Sequence, residues 1–158
     1  MMRSNVRLPF TPPSLNAIAG RSNRFAFSRA KKQWQRDLGV GLMALGVPRN
    51  LNRVEASAVL TFTTNRRRDE GNFRVLLEKA LGDALVEGRW LDDDTPDHYR
   101  FGAVDFALRD SPGTALTLLC ETAGQDTRLG PVRPGFASPA TVTAGEVAIS
   151  PDLRGGEQ

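Results

Sequence analysis

From Val54 to Phe62 an apolar residue recurs at every second position: Val54, Ala56, Ala58, Leu60 and Phe62. Between and after them fall Glu55, Ser57, Val59, Thr61 and Thr63. A period of two sustained from Arg53 to Thr64 predicts a long strand with one face buried. The strand delivers the chain to Arg66-Arg67-Arg68-Asp69, so this charged cluster sits at a strand end. Such positions are exposed yet anchored by the core, and sites are commonly built there. A helix follows over about Gly71 to Val86, with Phe73, Leu76, Leu77, Ala80, Leu81 and Ala84 as its apolar face. Its polar stripe carries Asn72, Lys79 and Asp83, which at about 100° per residue lie within about 40° of one another. Gly88 ends the helix, and Trp90-Leu91 returns the chain to the core just before Asp92, Asp93 and Asp94.

The remaining segments extend this strand and helix into one domain. Val6, Leu8 and Phe10 alternate with Arg7 and Pro9 as a short first strand. Thr11 to Asn16 is a stiff turn, since Pro12 and Pro13 fix φ and offer no N–H to a ladder. Gly20 to Phe27, with Arg21 and Arg24, reads as a basic loop. Ser28 is placed to cap a helix running to about Leu45, with Trp34, Leu38, Leu42 and Leu45 buried. Arg29, Lys31, Lys32 and Arg36 are then solvated and serve either nucleic-acid contact or plain solubility. Tyr99 to Asp110 predicts a strand with Arg100, Gly102, Val104, Phe106 and Leu108 on one side. Ser111-Pro112-Gly113 turns it into a hairpin with Thr114 to Glu121. The composition then shifts to Gly, Pro, Ala, Thr and Ser, which predicts a mobile tail over residues 122–158. The expected architecture is a single α/β (α+β) domain over residues 1–121, a mixed sheet flanked by helices.

Charge is unevenly distributed. Residues 1–75 hold 14 Lys/Arg against 4 Asp/Glu, and residues 76–158 hold 7 against 14. A basic half favours a polyanionic partner, because each neutralised phosphate releases a condensed counterion. An acidic half repels such a partner unless a cation intervenes. The lone cysteine, Cys120, lies in the apolar run LTLLCE, a packing position rather than a disulfide or a nucleophile. No apolar run approaches the roughly 18 residues that span a bilayer, and the N-terminal segment lacks the apolar core of a signal peptide. A cytoplasmic protein is expected.

Several carboxylates are candidates to meet in space: Asp69 and Glu70 at the strand end, Asp83 on the helix, and Asp92 to Asp94 after it. Mg²⁺ takes oxygen ligands of this kind together with water and phosphate, and such ions activate water for phosphodiester cleavage. The alternative is a set of solvated loops. His98 is the only histidine, so a zinc set lacks its usual ligands, and a serine or cysteine triad would have to use His98 with no nucleophile motif in view. No glycine-rich phosphate loop occurs.

Taken together, these motifs resemble the RusA-type Holliday-junction resolvases, a family frequent in phages and prophages. The resemblance runs over about Val6 to Glu121. It rests on LPFTPPSLN (Leu8 to Asn16), Arg67-Arg68-Asp69-Glu70-Gly71-Asn72, Lys79, Asp83-Ala84-Leu85 and Trp90-Leu91-Asp92-Asp93. It implies a Mg²⁺-dependent endonuclease (Mn²⁺ as an alternative ion) that acts as a homodimer on branched four-way DNA in recombination and repair. It places the family's catalytic residues on Asp69, Lys79 and Asp93, with Asp92 as the adjacent choice; as metal ligands Asp69 and Asp93 are then expected, with Glu70 or Asp83 completing the set in place of the missing aspartate. From their charge and position, Arg66, Arg67, Arg68, Arg21, Arg24, Lys31, Lys32, Asn16 and Asn72 are the expected DNA contacts. One departure stands in the family's D-x-D-N motif, whose second aspartate is Gly71 here. The competing expectation is a DNA-binding protein of the same fold that has lost part of its metal site.

Overall fold

A computed structural model describes residues 1–19, 25–122 and 147–148. Eight elements follow one another: β1 (Met2–Leu8), α1 (Leu15–Ala19), α2 (Ala26–Ala44), β2 (Leu51–Phe62), α3 (Gly71–Glu87), β3 (Tyr99–Leu108), β4 (Gly113–Thr122) and the two-residue β5 (Val147–Ala148). The strands form a single mixed sheet in the order β3-β2-β4-β1-β5. β2 and β3 run parallel, as a strand–helix–strand unit requires. β4 is antiparallel to both β2 and β1. The fold is thus α+β, and β5 pairs in parallel with Val6 and Arg7; apart from Thr122 and β5, the tail expected to be mobile lies outside the described residues.

The period-two pattern governs the sheet. Val54, Ala56, Ala58 and Leu60 of β2 are buried with Val6 and Leu8 of β1 and Leu116, Leu118 and Cys120 of β4. α2 and α3 cover this face with Trp34, Leu38, Leu42, Leu76, Leu77, Leu81 and Leu85. Each fully buried leucine contributes roughly 1.5–3 kcal/mol. Burial pushes the Cys120 thiol up to about 11, consistent with packing rather than reactivity. The Phe10 ring meets Trp34 edge-on at 5.2 Å, and Thr114 donates to the Phe10 carbonyl at 2.7 Å. Those two contacts hold the proline turn against α2 and β4. Among the described residues no helix is long and apolar enough to cross a membrane.

Three local expectations are corrected. α2 begins at Ala26, with Phe25 in the cap position and no side-chain cap bond, so Ser28 lies inside the first turn and does not cap it. β3 and β4 are joined by a short turn but are not a hairpin, because the long strand β2 inserts between them. Pairing with β2 on both sides buries its apolar row more completely than an edge position would. The third correction concerns the faces of β3. Ala56 pairs with Phe101 and Ala58 with Val104, so Gly102 and Ala103 stand opposite the single residue Ser57. This bulge shifts the phase: Tyr99 and Phe101 are buried before it and Val104 after it, so Arg100 and Gly102, expected on one side with Val104, are exposed while Val104 is buried. Phe106 and Leu108 are left exposed.

Candidate nucleic-acid interface

The turn from β2 into α3 carries the basic cluster, but its three arginines do different things. Arg68 donates to the Arg66 carbonyl at 2.7 Å and to the Thr64 hydroxyl at 3.1 Å. Its guanidinium also lies 3.8 Å from the centre of the Phe62 ring. Arg68 therefore holds the turn together. Arg66 and Arg67 are exposed and carry the charge that a phosphate can reach.

Asp69 closes the turn. Its Oδ1 accepts from the Gly71 N–H at 3.0 Å, which satisfies one of the free donors at the start of α3. The carboxylate is exposed and, among the described residues, forms no ion pair. Glu70 is engaged elsewhere. Its Oε1 accepts from the Val104 N–H at 3.3 Å, beside the bulge, and lies 3.6 Å from Arg74. Arg74 in turn donates to the Phe101 carbonyl at 2.6 Å. Glu70 thus secures the outer edge of β3 and is not turned toward Asp69.

The other acids stand at the far end of α3. The Asp94 carboxylate lies against Gly82, 3.4 Å from where a Cβ would be. From Gly71 to Gly82 the helix rises about 16 Å. Asp83, one residue on, pairs with Lys31 of α2 at 2.5 Å, not with Lys79. Asp93 uses Oδ1 to accept both the Thr95 N–H at 3.1 Å and the Thr95 hydroxyl at 2.6 Å. Those two bonds hold its carboxyl below the ordinary carboxylate value. Asp92 is exposed. Among the described residues no three His, Cys, Asp or Glu side chains are grouped so as to hold a metal ion. The expected ligands Asp69, Glu70, Asp83, Asp92 and Asp93 are not brought together within one chain. They do not fit a single shared Mg²⁺ there.

Of the remaining expected contacts, Lys79 and Lys32 are exposed on α3 and α2, and Asn16 is exposed on α1. Asn72 is half-buried in the first turn of α3, its N–H bonded to the Asp69 carbonyl at 3.2 Å. Lys31 is spent on tying α2 to α3. Arg21 and Arg24 lie outside the described residues. Sequence reasoning missed Tyr99, whose hydroxyl donates to the Glu78 carbonyl at 3.0 Å. Burial, with Glu78 and Asp94 nearby, raises its phenol far above the ordinary value. It also missed Arg49, whose guanidinium lies 3.8 Å from the centre of the Trp90 ring. A tyrosine at the start of a strand and an arginine in a turn carry no periodic signal that would single them out.

His98 takes a structural part with a measurable signature. Its Nδ1 lies 2.7 Å from the carbonyl oxygen of Asn52, the second residue of β2. That bond is the main cause that raises its pKa above 6.5; desolvation opposes it, and the charges of Asp93, Asp97 and Asp92 add to it. A raised folded pKa stabilises the fold below the unfolded value and loses that contribution as pH rises through the folded value. An NMR titration should place the His98 midpoint above 6.5, and His98→Gln should remove the neutral-range pH dependence of the melting temperature. A midpoint at or below 6.5 would contradict the Asn52 contact.

No protein-family model matches the chain, and no curated protein matches it in sequence.

Proposed function

We propose that this chain acts on branched DNA as a RusA-like, structure-selective endonuclease dependent on Mg²⁺. The observation that carries the reading is the β2–α3 turn. Arg66 and Arg67 are exposed beside the N-terminus of a 17-residue helix, with the Asp69 carboxylate between them and the first helical turn. The positive dipole end of α3 favours phosphate there, although its first-turn N–H groups are already taken by Asp69 and Glu70. Arginines at the same place add contacts that position a backbone without reading its sequence. Asp69 and Asp93 stand at opposite ends of α3, so a metal centre that used both would have to draw them from two copies of the chain. Paired sites related by a dyad suit a substrate cut symmetrically.

The second reading is a DNA-binding protein that does not cut. It is favoured by Gly71, which supplies no carboxylate, and by Glu70, which is bound to β3. A labelled four-way junction incubated with the protein and Mg²⁺ separates the two. Nicking that Asp69→Asn abolishes while binding persists is the expected result. A preparation that binds the junction and never cuts it, with Mg²⁺ or Mn²⁺, leaves the second reading standing. Gly71→Asp provides an internal control. A Cβ at this position meets only Asp69 Oδ1, at an ordinary 3.5 Å, and an acid in the first helical turn is favourable. The variant should fold and cut at least as fast as the parent chain, and slower cutting would argue that position 71 faces away from the reacting phosphate.

A further inference from the structure

A groove of about 720 Å³ runs between the C-terminal parts of α2 and α3, away from the β2–α3 turn. We propose that it seats an unpaired nucleotide of bound DNA, an inference that rests on the DNA-binding reading above. Its size lies within the ~300–1,000 Å³ typical of small-ligand clefts. Val40 and Met43, 46% and 57% exposed, present apolar side chains to it although each stands on a helix with a well-filled inner face. Around this apolar wall stand Arg36, Arg49 and Arg89. The one carboxylate in the lining, Glu87, already accepts a hydrogen bond from Gln35. The groove therefore calls for an anion with a flat or apolar body.

Arg49 decides which body. One face of its guanidinium lies on the Trp90 ring, and Trp90 is itself fixed by its indole N–H bond to the Val47 carbonyl at 3.0 Å. A guanidinium layered on a buried indole is a rigid, planar cation, and nucleobases stack on such planes. Arg89 and Arg36, the latter also donating to Gln33, line the same groove and supply positive charge for the phosphate. In a duplex the bases are stacked and unavailable, so only an unpaired nucleotide can enter, as occurs where strands part or exchange.

The test compares a labelled blunt duplex with the same duplex carrying a short single-stranded thymidine overhang, by fluorescence anisotropy at about 0.1 M salt. The wild-type chain should prefer the overhang by about ten-fold, the scale of stacking one base. Arg49→Gln with Arg89→Gln should lose that preference, and so should Val40→Asn, which leaves every charge in place. Val40 is exposed, so this substitution keeps the fold, and circular dichroism checks both variants. Blunt duplex bound without any overhang preference, or a preference kept in both variants, overturns the groove assignment and leaves the DNA reading intact. No binding to either DNA at low salt overturns the DNA reading itself, and this inference with it. Val40-dependent binding of an acidic, apolar peptide, with no effect of the overhang, would assign the groove to a protein partner and overturn the proposal.

Discussion

Reversing both exposed arginines of the β2–α3 turn, Arg66→Glu with Arg67→Glu, should weaken junction binding by about a hundred-fold or more at about 0.1 M salt. Two phosphate contacts are lost and two repulsions take their place, next to the carboxylate of Asp69. The neutral pair Arg66→Gln and Arg67→Gln should lower the slope of log affinity against log salt by about two. Both side chains are solvent-exposed, so the melting temperature should barely move. Arg68→Gln is the informative comparison. Its guanidinium is bonded to Arg66 and Thr64 and lies on Phe62, so removing it should loosen the turn while changing the salt slope less. Electrophoretic mobility shifts across a salt series measure all three variants. An unchanged slope in the neutral pair would remove this turn from the interface.

The largest effect on stability is expected at Gly88. A glycine just past a helix is ordinarily explained by a left-handed backbone, but Gly88 has φ −77° and Arg89 takes the positive value of 57°. Gly88 is required for a different reason. A Cβ there would lie 1.9, 2.3 and 2.9 Å from atoms of the Trp90 ring. The ring cannot yield cheaply, because Trp90 is 2% exposed, donates to Val47 and carries Arg49 on its face. Gly88→Ala should therefore cost about 3 kcal/mol, from overpacking together with a strained or lost buried hydrogen bond. Urea denaturation followed by tryptophan fluorescence would measure it, and a loss under about 1 kcal/mol would contradict the packing described. Arg89→Gly is the counterpart: it relieves a left-handed arginine and should be tolerated.

The elements were legible in the sequence because burial repeats with the period of the backbone. The alternation in β2 and the apolar stripes of α2 and α3 follow from geometry that any sequence must obey. The order of strands was not legible, since nothing local tells β4 to pair with β2 rather than with its neighbour β3. Nor was the bulge at Gly102 and Ala103: one inserted residue inverts the faces while leaving the composition of the strand unchanged. The candidate site was legible as a set of residues but not as a place. Asp69, Asp83 and Asp93 stand close in sequence, yet the helix between them is a rigid rod that holds its two ends apart. The three consecutive aspartates also look equivalent as letters, whereas Asp93 binds Thr95 and Asp94 lies on Gly82.

The hydrogen bonds from α3 to β3 bear on how this protein behaves when crowded. Among the described residues β3 is an edge strand of the sheet, and an open edge strand is a template on which another chain can add and begin aggregation. Here the Phe101 carbonyl is taken by Arg74 and the Val104 N–H by Glu70. A passing strand would have to displace a charged group at each to continue the ladder. Loss of Arg74 or Glu70 would thus be felt less in the melting temperature than in the concentration at which the folded protein stays dispersed.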